Sequence, residues 1–189
     1  MTLIEALEQV IDSCWKLERV GSEWLMQEPN STHSELRITA GKSFGFSLDK
    51  SGNNAFPLFK QNSPLEGMNK KCDGIIVTES GQRTDVILIE MKAGKNAAKE
   101  AAKQIESANL LIQWLLGLLD LYEHFTGQVT VIGVVSLKPR KTPNRGTTKL
   151  SSGEIPKPGK SPSGIPLFVL QNHPKLKTRE LLKHLEPAA

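Results

Sequence analysis

Residues 72–92 read CDGIIVTESGQRTDVILIEMK, and how this stretch folds decides the architecture. Two apolar runs, 72–78 and 85–92, flank the polar turn ESGQR at 79–83. That pattern predicts a β-hairpin. Both runs are apolar at consecutive positions, so both faces of the hairpin are expected to be covered, as in the central strands of an α/β layer. Opposed residues of an antiparallel pair have indices with a constant sum. A turn centred between Gly81 and Gln82 therefore places Asp73 opposite Glu90. Side chains alternate along a strand, so Lys92 shares the face of Glu90.

Working outward, residues 2–19 repeat apolar positions at three-to-four spacing (Leu3, Ile4, Leu7, Val10, Ile11, Cys14, Trp15), which predicts a helix. Thr2 is placed to cap it, with Glu5 three residues on completing a capping box. The helix ends at Gly21 or runs on through Trp24 and Leu25. Strands are expected at 36–39, 44–48 and 56–59, with a turn at 49–54. Residues 95–124 predict a long helix whose second half, NLLIQWLLGLLDLY, is apolar almost all round. Such a helix packs on a sheet and against something more. Residues 129–136 read as a buried strand, 166–170 as a last strand, and 176–185 as a short helix. The expected order is a mixed α/β domain whose sheet is layered by helices.

The chain has 189 residues, 38% hydrophobic and 23% charged, a single domain able to bury a core without disulfides or structural metal. Two cysteines, Cys14 and Cys72, exclude a disulfide scaffold and a cysteine-rich zinc site. Cys14 is expected in the core. The N-terminus MTLIEALEQV carries acids where a secretory signal carries bases, so a cytoplasmic location is expected. The apolar run 110–122 holds Gln113 and Asp120 and is shorter than the roughly 20 residues a bilayer requires. Charge is uneven: residues 1–135 carry 13 Lys/Arg against 17 Asp/Glu, and residues 136–189 carry 11 against 3. A polyanionic partner suits the basic third.

Two carboxylates opposed on a sheet repel each other. A divalent cation between Asp73 and Glu90 removes the repulsion, and hard oxygen ligands with room for water and phosphate suit Mg²⁺ or Mn²⁺. Lys92 is then placed to orient a water or to stabilise charge developing on a phosphate. This is a layout for metal-assisted phosphodiester hydrolysis.

Asp73, sixteen residues, then Glu90-Met91-Lys92 ending an apolar strand before a helix resembles the PD-(D/E)XK, restriction-endonuclease-like nucleases. The resemblance covers roughly residues 1–136. It implies a central mixed β-sheet flanked by helices in αβββαβ order, and a Mg²⁺- or Mn²⁺-dependent nuclease acting on DNA. It implies Asp73 and Glu90 as metal ligands with the Met91 main-chain carbonyl, Lys92 as the catalytic lysine, and Gln104 as a supporting residue. Cys72 stands where the family more often has proline, and Ala108 where one branch has tyrosine. Glu5, Glu8, Glu18 and Glu23 are all candidates for the glutamate that many members place on their first helix.

Residues 137–165 form a basic loop without periodicity, within one domain spanning 1–189. Lys138, Arg140, Lys141 and Arg145 are its candidate nucleic-acid contacts. The stretch has no aromatic residue, so contact with phosphates is expected rather than base stacking. A homodimer or a partner protein is expected on the 110–122 helix, and no membrane. The competing reading is a nuclease-like binding or assembly subunit without catalytic activity. A third, an enzyme on a small phosphorylated substrate, lacks a GxxxxGK[ST] phosphate loop.

Overall fold

In the computed structural model, residues 1–27, 35–49, 67–68, 70–93, 97–138 and 155–185 are described. The elements in chain order are helix α1 (Leu3–Val10), strands β1 (Glu18–Val20), β2 (Glu23–Gln27), β3 (Glu35–Thr39), β4 (Lys42–Phe46), β5 (Gly74–Ser80) and β6 (Arg83–Ala93), helix α2 (Ala98–Leu121), strands β7 (Val129–Lys138), β8 (Gly159–Lys160), β9 (Pro166–Gln171) and β10 (Lys175–Lys177), and helix α3 (Thr178–Lys183).

The hairpin forms in the predicted register. Ser80 pairs with Arg83 at its closed end and Gly74 with Ile89 at its open end. The two-residue turn needs a left-handed conformation, and Gly81, at φ 60°, supplies it. β4 extends the hairpin into an antiparallel meander. β7 then lies parallel to β6, with Thr84 against Val129 and Ala93 against Lys138. Parallel neighbours need a crossover, and α2 is that crossover. The full sheet runs β4-β5-β6-β7-β9-β8. A second, four-stranded sheet runs β1-β2-β3-β10, its last pair parallel.

Alternate side chains of the hairpin enter two cores. Ile75, Val77, Val86 and Leu88 pack with Leu3 and Leu7 of α1 and with Ala101, Ile105 and Ile112 of α2. Ile76, Ile87, Ile89 and Met91 pack with Trp24, Met26, Leu36 and Ile38 of the second sheet and Leu181 of α3. Both faces are covered, as the consecutive apolar positions require. One cover differs from the expectation of helical layers. β2 and β3 alternate buried with more exposed residues, Trp24, Met26, Leu36 and Ile38 being the buried ones, so their sheet has one core face, and it buries that face on the larger sheet. The class is α/β, with two mixed sheets and three helices among the described residues.

The first helix is shorter than expected. Its capping box forms: Glu5 N–H donates to Thr2 Oγ1 at 3.3 Å and Thr2 N–H to Glu5 Oε2 at 2.9 Å. The helix stops at Val10 because Asp12 turns its carboxylate onto Cys14 N–H at 2.8 Å, starting a separate 3-10 turn at Ser13–Trp15. Gly21, at φ 63°, turns β1 into β2 rather than ending a helix. Cys14 is exposed, not core. At the other end, 175–177 is a strand and only Thr178–Lys183 is helical. The expected strand at 56–59 and all but Asp49 of the expected turn at 49–54 lie outside the described residues. Among those described, no helix is long and apolar enough to cross a membrane.

Candidate functional site

β5 and β6 are laddered as far as Gly74 and Ile89, and the next pair would be Asp73 with Glu90. There the ladder is carried by side chains. Glu90 Oε2 accepts from Asp73 N–H at 3.2 Å, and Asp73 Oδ2 accepts from Met91 N–H at 2.5 Å. Each carboxylate therefore grips the backbone of the other strand. This reciprocal grip holds two acids at the open end of a hairpin whose repulsion would otherwise splay it.

Glu90 has no exposed surface and faces the helix-covered side, with Leu88 two residues behind it. Lys92, on the same face, sets Nζ 2.5 Å from Glu90 Oε1, with about a quarter of its side chain exposed. The contact is an ion pair and not an aligned hydrogen bond, since Oε1 has no hydrogen-bond partner. Burial first, and then the Asp73 charge, push the Glu90 carboxyl up to about 8 against the opposing pull of Lys92 and the Asp73 N–H. Burial pulls the Lys92 ammonium down, but Glu90, with Asp73 and Glu100 behind it, more than offsets this and holds the lysine above its ordinary value.

Gln104 reaches the same place from α2. Its Nε2 donates to Lys71 O at 2.8 Å, while its buried Oε1 has no hydrogen-bond partner. One turn earlier on the helix, Glu100 pairs with Lys70 and feels Lys92 and Lys103. Sequence reasoning missed this rim. Its signal was present: Glu100 stands four residues before Gln104, and Lys70 three before Asp73.

The structure thus brings Asp73, Glu90 and Lys92 together and ties Gln104 to the backbone two residues before Asp73. Met91 N–H points at Asp73, and N–H and C=O of one strand residue emerge on the same side, so the Met91 carbonyl also lies toward β5. None of the first-helix glutamate candidates joins them. Glu5 closes the capping box, Glu8 is exposed on α1, and Glu18 and Glu23 stand on β1 and β2 rather than on a helix. Glu23 is engaged by Arg37 and Lys175. Lys138 ends β7 beside Ala93. Arg140, Lys141 and Arg145 lie outside the described residues.

Cys72 is no nucleophile. It is fully buried, its Sγ donates to Gly74 O at 3.4 Å, and burial pushes the thiol far up, with Glu90 and Asp73 adding to the effect. Among the described residues, no three His, Cys, Asp or Glu side chains are grouped to hold a metal ion. The donor set at the open hairpin end is two carboxylates and a main-chain carbonyl. That suits an ion that keeps several waters, such as Mg²⁺, while Glu90 Oε1 is held by the Lys92 ammonium. An apolar hollow of about 320 Å³ between α1 and α2 has Asp12 as its only ionisable lining residue and takes no part in this chemistry.

No family model, curated protein or solved structure matches the chain. The functional reading therefore rests on the residues themselves.

Proposed function

We propose that this chain is a metal-dependent endonuclease hydrolysing phosphodiester bonds of DNA in the cytoplasm, on a restriction-endonuclease-like core. The order α1, β4–β5–β6 meander, α2, and β7 parallel to β6 supports the core, with β1–β3 inserted after the first helix. The observation that carries the activity is the opposed pair Asp73–Glu90 with Lys92 on the Glu90 face.

Asp73, Glu90 and the Met91 carbonyl would hold Mg²⁺ or Mn²⁺, which when bound neutralises phosphate charge and lowers the pKa of water. The protein's own part is positional. The reciprocal backbone grips fix both carboxylates before any ligand arrives, so little rearrangement is left for the reaction. Lys92 stays protonated at neutral pH and offers a fixed positive charge to an attacking water and to the phosphate as it gains charge. Gln104 Oε1 offers an acceptor at the rim. Lys71 and Lys103 add positive charge beside the Lys70–Glu100 pair, which favours a polyanion.

The test is cleavage of supercoiled plasmid with Mg²⁺ or Mn²⁺, together with calorimetric titration of Mn²⁺. Wild type should cut and should bind the ion. Lys92→Ala should bind the ion and lose at least about 100-fold in rate, the range for one transition-state contact. Asp73→Ala and Glu90→Gln should lose both. Ion binding unchanged in both carboxylate variants would remove the site. Cleavage by Lys92→Ala at the wild-type rate would reduce Lys92 to a surface charge. Nucleic-acid binding with no cleavage under any ion would leave the non-catalytic subunit.

A further inference from the structure

The outer face of α2 is built like half of a helix pair. Lys103, Ser107, Leu110, Trp114, Gly117 and Leu121 follow one another at alternating spacings of four and three, the seam pattern of paired helices. Leu110 is 72% exposed, Trp114 60% and Leu121 69%. An added Cβ at Gly117 would meet nothing within 4 Å, so nothing described in the chain calls for a residue that weakens a helix interior. A close helix neighbour would.

The charges identify the neighbour. Lys99 and Lys103 sit in the first two turns of α2, around a favourably placed Glu100, and Asp120 sits in its last turn. The two lysines and the aspartate are at the ends where the helix dipole disfavours their sign. An antiparallel copy of the same helix reverses both disadvantages. With the two-fold axis at Ile112, Lys103 of one copy lies level with Leu121 of the other, next to Asp120. Leu110 then packs on Trp114, and Ser107 lies opposite Gly117, where two small residues let the backbones approach.

We propose that α2 pairs antiparallel with α2 of a second copy of this chain, through the Leu110–Trp114 stripe and the Lys103–Asp120 contacts. One surface serves both copies, so the interface closes on itself and the assembly stops at two. The pairing does not depend on the chemistry at Asp73 and Glu90.

Sedimentation velocity over a concentration series tests this. The full chain should be a dimer at high micromolar concentration. Trp114→Glu should give a monomer with an unchanged circular dichroism spectrum. Lys103→Glu and Asp120→Lys should each weaken the dimer about tenfold, because each change acts twice across the axis. The Lys103→Glu/Asp120→Lys double variant should return to within about threefold of wild type. A monomeric wild type overturns the proposal. So does a dimer untouched by Trp114→Glu, or a charge swap that fails to restore what the single changes lost.

Discussion

Asp85 has no exposed surface, and its Oδ2 has no hydrogen-bond partner, while Oδ1 takes Arg83 Nε at 2.8 Å. It stands on β6 five residues before Glu90, in a row with Ser43, Thr78 and Thr130 across four strands. Burial pushes its carboxyl up from 3.8, and Arg83 pulls it back only in part. The folded state therefore holds this proton more tightly than the unfolded chain. The stability from that proton is fully present below about 3.8 and is lost as pH rises through the folded-state value. Asp85→Asn should accordingly raise the melting temperature near pH 7 by about 2–4 °C for each kcal/mol relieved, and change little near pH 3. Thermal scans at the two pH values check this, and an equal shift at both would contradict it. Among such residues, the Asp73–Glu90 opposition was legible because a two-residue turn fixes register by counting alone. The hidden Asp85 was not, since nothing in a strand's own sequence says which end of it the opposite sheet covers.

At the scale of elements, α2 lies on β7 where the strand has no side chain. A Cβ at Gly133 would come within 2.6 Å of Leu167 Cδ1 and 2.8 Å of Ile105 Cγ2. The Ile105 methyl is on a β-branched side chain with little freedom to withdraw. Gly133→Ala should cost about 1–3 kcal/mol, as overpacking does, seen as a lower denaturant midpoint at unchanged slope. Long elements with local patterns were legible: the hairpin, α2, β7 and β9. The second sheet was not. Its strand β2 hides a period-two pattern, Trp24 and Met26, inside a stretch whose spacing also fits a helix. What decides between them is tertiary: Arg37, Ile38 and Thr39 of β3 find their parallel partners at Lys175, Leu176 and Lys177, far along the chain. A window of a dozen residues carries no trace of that pairing.

At the scale of the whole molecule, charge and topology converge. β6 and β7 are parallel, so the basic stretch that begins at Lys138 leaves the sheet from the end that carries Glu90 and Lys92. Replacing Lys138, Arg140, Lys141 and Arg145 with serine should weaken binding to all duplex DNA sequences alike. It should flatten the log–log salt slope by up to about three to four units, at roughly 0.9 per phosphate contact, and leave Mn²⁺ binding intact. Fluorescence anisotropy across a salt series measures the slope, and an unchanged slope would place the anion-binding surface elsewhere. The same ordering of strands has a consequence for how the chain is made. β9 covers the edge of β7, and β10 covers the edge of β3, so a single stretch, 166–177, completes both sheets. Until the ribosome has released it, two rows of unpaired strand amides stand open at once. A premature stop before residue 166 would therefore yield not a smaller folded domain but a sticky chain, a client for chaperones and proteases.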